Sequence, residues 1–188
     1  MQILIIDKVH PLLIEALEKN NHQVVYRPEI SFEETLASIA SFDGIVVRSK
    51  FFIGKKVLQK ATNLKFVARA GVGLDIFDLD YAKKRNIKVL NAAGANANAV
   101  AEHALGMLLS ISANLVRSNN QVKTFVWERE YNRGVEIKGK TIGLIGYGNT
   151  GKAFARKLKA FGCTLLSYDK YKDHFGHDVV QELSLIHI

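Results

Sequence analysis

The chain has 188 residues, 48% apolar and 23% charged with only two prolines, the make-up of an ordinary globular protein large enough for one comfortable domain or two small ones. No apolar run approaches the ~18 residues of a membrane span, the N-terminus opens on Ile3-Leu4-Ile5-Ile6 without the basic flank of a secretion signal, and the lone Cys163 excludes an internal disulfide framework, so a cytoplasmic protein with no membrane partner is expected. The formal charge of +8 suits an anionic ligand or reflects solvated helix faces; its lysines and arginines are spread over many segments, not clustered with aromatics, which argues against nucleic acid.

From the N-terminus, short apolar runs alternate with helical patterns. Gln2 to Ile6 reads as a strand and Pro11 to Lys19 as a helix, with proline in its permitted first turn. His22 to Tyr26 is a second strand. Ser31-Phe32-Glu33-Glu34 has the spacing of a capping box and opens a helix to about Ala40. Gly44 to Val47 reads as strand, Lys55 to Ala61 as helix, Lys65 to Arg69 as strand, Leu79 to Arg85 as helix and Lys88 to Leu90 as strand. Such alternation implies right-handed crossovers and a parallel sheet. Val and Ile at successive strand positions imply a sheet covered on both faces.

Asn91-Ala92-Ala93-Gly94-Ala95-Asn96-Ala97-Asn98 is small and polar, a hinge-like connector. One long helix is predicted from about Ala99 to Ser118, with Ala101, Ala104, Leu105, Leu108, Leu109, Ser112, Leu115 and Val116 on a single apolar stripe. Val122 to Arg133, with the only tryptophan, Trp127, reads as irregular. Thr141 to Ile145 is a strand, followed by a glycine loop, a helix from Thr150 to Phe161, Gly162 as its stop signal, and a strand from Leu165 to Tyr168. Residues 1–94 thus supply five strand–helix units, enough for a small doubly wound domain of the flavodoxin-like kind. Residues 95–188 supply two strands, where a dinucleotide-binding domain normally has about six. The second domain reads as truncated.

Gly146-Tyr147-Gly148-Asn149-Thr150-Gly151 is a G-x-G-x-x-G pattern between a strand and a helix, and Asp169 ends the next strand 18 residues beyond Gly151. Gly146 would permit the tight turn, Gly148 would let the backbone approach a pyrophosphate, and Gly151 would let the helix pack close to the sheet. The helix N-terminus would offer free N–H groups to the phosphates. Asp169 can accept hydrogen bonds from both hydroxyls of an adenine ribose and would repel a 2′-phosphate, which favours NAD over NADP. Lys170 and Lys172 could attract that phosphate, or are solvated surface residues.

Phe66-Val67-Ala68-Arg69-Ala70-Gly71-Val72-Gly73-Leu74-Asp75 resembles the glycine loop of the substrate domain in the D-2-hydroxyacid dehydrogenase family. Asn91 and then Val100-Ala101-Glu102-His103-Ala104-Leu105-Gly106 resemble that family's entry to its interdomain helix. Gly139-Lys140-Thr141-Ile142-Gly143-Leu144-Ile145-Gly146 is similar to its run into the nucleotide loop, and Val47-Arg48-Ser49 to the substrate-side loop of its phosphoglycerate dehydrogenase branch. The likeness extends to about Tyr171. It implies a substrate domain at 1–94, an incomplete Rossmann NAD-binding domain at 95–188, and hydride transfer between NAD and C2 of a 2-hydroxy or 2-keto acid. The branch implies 3-phosphoglycerate and serine biosynthesis. By resemblance, Arg48, Ser49 and the backbone of Gly71, Val72 and Gly73 would face the substrate's anionic groups. Val72, Asn149, Thr150 and Asp169 would lie on the cofactor, and the helix after Ala99 with the Trp127 region would form a homodimer interface. Ala92-Ala93 stands where the family often has Thr-Pro or Ala-Pro, and Phe52 where a Thr often follows the Arg-Ser pair.

The family's catalytic arginine, glutamate and histidine fall later than the second dinucleotide strand, so they are expected downstream of Ile188 and the 188 residues alone are expected to be inactive. His103 reads as a packed or capped side chain of the interdomain helix. His174 and His177 could suggest a metal site, but Gly176 between them breaks the helix that would align them. Cys163 reads as a small apolar filler. Leu183-Ser184-Leu185-Ile186-His187-Ile188 resembles the translation of a transposon end used in sequencing adapters; the alternative is a native apolar segment leading to a third strand. Two other functions share the fold: an NAD-sensing corepressor, and another NAD enzyme such as formate dehydrogenase, against which the Arg48-Ser49 loop argues.

Overall fold

The computed structural model describes residues 1–171 and the backbone of 181–182. His174, His177, Lys172 and the segment 183–188 lie outside the described residues. The chain divides into two compact units, Met1–Ala93 and Gly94–Ile188.

The first unit runs β1 (Gln2–Ile5), α1 (Pro11–Lys19), β2 (Gln23–Tyr26), α2 (Phe32–Ser38), a 3-10 turn (Ile39–Ser41), β3 (Gly44–Val47), α3 (Lys55–Lys60), β4 (Phe66–Arg69), α4 (Leu79–Lys84) and β5 (Lys88–Asn91). The five strands form one parallel sheet in the order β2-β1-β3-β4-β5, the flavodoxin-like order. Strand alternation sorts the core. Ile3 and Ile5 of β1 pack with Val46 against Leu13 and Leu17 of α1, while Leu4 and Ile6 join Ile45, Val47 and Val67 in the cluster that includes Val57, Leu58 and Ala82 from α3 and α4. Both faces of the central strands are therefore apolar, as a doubly covered sheet requires.

Local signals hold α2 in place. Ser31 Oγ accepts the Glu34 N–H at 3.2 Å, and a Glu34 carboxylate oxygen accepts the Ser31 N–H at 2.8 Å. The Ser31 backbone N–H first, then the Ser31 side chain and Arg27, hold the Glu34 carboxyl below its ordinary value of 4.5. A depressed carboxyl stabilises the fold above its unfolded pKa, and that contribution is lost as pH falls through the folded value. Glu34→Gln is therefore expected to lower Tm at neutral pH, with the gap to wild type closing as pH drops below 4.5; melting curves across that range check it.

The second unit contains α5 (Ala97–Ser112), α6 (Leu115–Lys123), β6 (Thr141–Ile145), α7 (Asn149–Lys159), β7 (Thr164–Tyr168) and β8 (Gln181–Glu182), with a parallel sheet β6-β7-β8. Three features correct the sequence reading. The single helix predicted from Ala99 to Ser118 is two helices bent by 60°. The break has a cause: the Ser112 carbonyl accepts Val135 N–H at 2.8 Å instead of an N–H one turn further along the helix, and Asn114 turns left-handed at φ 52° with its amide on the Arg133 carbonyl. The apolar stripe ends there, leaving Leu115 and Val116 exposed. Second, a third strand, β8, pairs with β7 through Leu166 and Ser167; two residues carry no alternation to read. Third, His103 is exposed, neither packed nor capping. No single helix among the described residues is long and apolar enough to cross a membrane.

Candidate active site

In a parallel sheet the C-terminal ends of all strands lie along one edge, and ligands bind there where the strand order reverses. In the first unit the order reverses at β1, flanked by β2 and β3. The residues beyond those ends are Asp7, Arg48, Gly71 and Ala92. Arg48 and Ser49 are exposed, and among the described residues Arg48 enters no ion pair. The neighbouring arginine, Arg69, is committed: its Nε donates to the Arg48 carbonyl at 3.0 Å and its guanidinium pairs with Asp75. That pairing and the carboxyl's own backbone hydrogen bond hold Asp75 below the usual carboxylate range.

The loop Gly71-Val72-Gly73 is tied down from three sides. Ala92 N–H donates to the Gly71 carbonyl at 2.9 Å, and the Asn91 side-chain amide donates to the Val72 carbonyl. A Cβ on Gly73 would stand 2.4 Å from an Asp75 carboxylate oxygen and 2.8 Å from an Arg69 nitrogen, so the loop backbone runs directly over that ion pair. Among the described residues, the N–H groups of Gly71, Val72 and Gly73 donate to no protein acceptor, which leaves three successive donors for an anion. Val72 is 39% exposed.

The second unit presents the G-x-G-x-x-G turn. Gly146 sits at φ +96°, a left-handed conformation that favours glycine. Gly148 is extended, and a Cβ there would meet nothing within 4 Å, so the approach over it is open. Gly151 is different: its Cβ would stand 2.2 Å from the Gly146 carbonyl oxygen. The close contact that requires glycine is thus between the first turn of α7 and the loop carbonyl. Asn149 and Thr150 lie exposed in that first turn. Asp169 has a structural role that sequence spacing did not disclose: one carboxylate oxygen accepts Tyr147 N–H at 2.7 Å and the other Tyr171 N–H at 2.9 Å. It brackets the glycine turn, while Tyr147 is buried beneath it with Leu144 and Leu158. Lys170 holds its ammonium 5.7 Å over the Tyr171 ring.

These two contacts separate the roles of the glycines. Gly151→Ala is expected to destabilise the second unit by about 1–3 kcal/mol through overpacking against backbone. Gly148→Ala is expected to leave thermal unfolding unchanged yet weaken dinucleotide binding by about tenfold or more, because only an approaching phosphate meets the new methyl. Parallel melting and binding curves of the two variants check this pair.

The family model of D-isomer-specific 2-hydroxyacid dehydrogenases, catalytic domain, matches residues 3–183. The chain belongs to that family. It is 36% identical over 171 residues to D-3-phosphoglycerate dehydrogenase of Archaeoglobus fulgidus, covering 91% of this chain and 32% of the relative. It is 41% identical over 140 residues to hydroxypyruvate reductase of Thermotoga maritima, covering 74% of this chain and 46% of that protein. Among solved structures it is similar to NAD-dependent formate dehydrogenase from Staphylococcus aureus in complex with NAD, with TM-score 0.76 and 27% identity over 98% of this chain and 61% of that one. The chain thus spans about a third to a half of the length of these curated relatives. Among the described residues of this family member, no three His, Cys, Asp or Glu side chains gather where they could hold a metal ion.

Proposed function

We propose that the chain is the front portion of a cytoplasmic oxidoreductase that moves a hydride between NAD and C2 of a D-2-hydroxy acid, with 3-phosphoglycerate, the precursor in serine biosynthesis, as substrate. The observation that carries the reading is the glycine turn: open over Gly148, closed against backbone at Gly151, and bracketed by Asp169. Gly146, Gly148, Asn149, Thr150 and Gly151 would hold the pyrophosphate, and Asp169, at the end of the adjacent strand, the adenine ribose. NAD, when bound, supplies the acceptor for the hydride leaving C2. The chain's own contribution is orientation. The Arg48 guanidinium, which enters no ion pair among the described residues, the Ser49 hydroxyl and the amides of Gly71, Val72 and Gly73 would grip the acid's anionic groups. We assign no acid–base group for the C2 oxygen to these 188 residues; by resemblance the arginine, glutamate and histidine lie in the remainder of the fold.

A second reading has one observation in its favour, the likeness to the formate dehydrogenase structure. A substrate panel separates the two. Carried through the rest of the dehydrogenase fold, as the longer relatives are, the protein is expected to use D-3-phosphoglycerate with the highest kcat/KM among D-3-phosphoglycerate, D-lactate and formate. A preference for formate would overturn the reading.

A homodimer is also proposed for the longer protein. Ile111 and Val116, on α5 and α6, are 75% and 66% exposed, and Phe125 and Trp127 beyond them 99% and 80%. Large apolar side chains exposed on one unit support an association surface there. Light scattering at micromolar concentration is expected to give a dimer mass, and Phe125→Asp to shift it towards monomer.

A further inference from the structure

Asp7 belongs to none of the family-like motifs, yet it is the most connected acid at the C-terminal edge of the first sheet. One of its carboxylate oxygens accepts three successive backbone N–H groups, from Arg48 at 2.7 Å, Ser49 at 3.0 Å and Lys50 at 3.1 Å. Successive amides converging on one point form an anion-binding concavity, and here the chain's own carboxylate, half-buried and 41 residues upstream of Arg48, fills it. The ends of the same loop are tied separately. The Arg48 carbonyl accepts from Arg69 Nε, and the Lys50 ammonium donates to the Pro28 carbonyl. Among the described residues, what remains unanchored on this loop is the Arg48 guanidinium and the Ser49 hydroxyl.

We infer that Asp7 is a positioning residue for the substrate-side loop: it occupies the amides of 48–50 and so directs a substrate's anionic group onto the side chains of Arg48 and Ser49. The inference rests on the assignment of Arg48 and Ser49 to the substrate. The charge arrangement favours it. A carboxylate left loose beside Arg48 would pair with the guanidinium and compete with the ligand, whereas three N–H bonds to one oxygen hold it on the backbone. The two loops then divide the work, because the amides of Gly71, Val72 and Gly73 stay uncommitted while those of 48–50 are taken.

The test uses the 188-residue chain, with amide hydrogen exchange at residues 48–50 and amide shifts on titration with D-3-phosphoglycerate. Asp7→Asn keeps the shape and one acceptor but loses the charge. It is expected to retain the wild-type Tm within a few degrees, to speed exchange at 48–50 by about tenfold or more, and to weaken the phosphoglycerate response at Ser49 by about tenfold. Asp7→Ala is expected to do the same more strongly, and if it fails to fold, Asp7→Asn decides alone. Unchanged exchange at 48–50 with an unchanged phosphoglycerate response overturns the proposal. Arg48→Ala distinguishes the two levels. If it responds like wild type, the substrate assignment fails and the role of Asp7 with it. If it loses the response while Asp7→Asn keeps it, only the role of Asp7 is overturned.

Discussion

The 188 residues alone are expected to produce no NADH from D-3-phosphoglycerate, while the same chain carried through the rest of the dehydrogenase fold turns over. Oxidation at C2 releases a hydride to NAD and a proton from the hydroxyl, and a positioned base for that proton is commonly worth about 10²–10⁴ in rate. We assign none to the described residues: His10 accepts the Leu12 N–H as the cap of α1, His22 precedes β2 at the N-terminal edge of its sheet, and His103 stands exposed on α5. The arginine that resemblance places downstream would add orientation of the carboxylate, a separate contribution. Side-by-side assays of NADH formation give the difference directly. Comparable turnover by the 188 residues would mean that the acid–base group lies within them.

Asp169→Ala in the longer protein is expected to weaken NAD binding by about 1–3 kcal/mol, roughly 5- to 150-fold, through lost hydrogen bonds to a charged acceptor. The variant has two effects, because Asp169 also holds the Tyr147 and Tyr171 amides. Loosening of the glycine turn would weaken NAD and NADP alike, since both share the pyrophosphate. Loss of a ribose ligand weakens NAD selectively and removes the repulsion of a 2′-phosphate. The expected result is a fall in the NAD-to-NADP preference, and Asp169→Asn, which keeps an acceptor for the amides, should show it with less loss of NADP binding. An equal loss for both cofactors would restrict Asp169 to bracketing the turn.

What could be read from the residues was local. The capping box at Ser31 and Glu34, proline at the start of α1, and the glycines flanking β6 and α7 act within a few positions of themselves, and the strand alternation of β1 and β3 survives intact in the two core clusters. The misses were made by partners distant in sequence. α5 ends because Val135, more than twenty residues on, takes the Ser112 carbonyl; nothing between Ala99 and Ser118 announces it. Asp7 carries no signature in the sequence, because an acid after a strand gains its meaning only when the sheet order puts it beside the 48–50 loop. The spacing marks Asp169, but its grip on Tyr147 runs between two adjacent strands and is legible only once β6 and β7 are paired.

The most direct measurement is a titration of the 15N-labelled 188-residue chain with NAD, followed by amide shifts. The expected result is saturable shifts at Tyr147, Gly148, Asn149, Thr150, Gly151 and Asp169 at millimolar NAD, with smaller shifts at Asp169 for NADP. No response in that turn, or a response confined to other residues, would contradict the account.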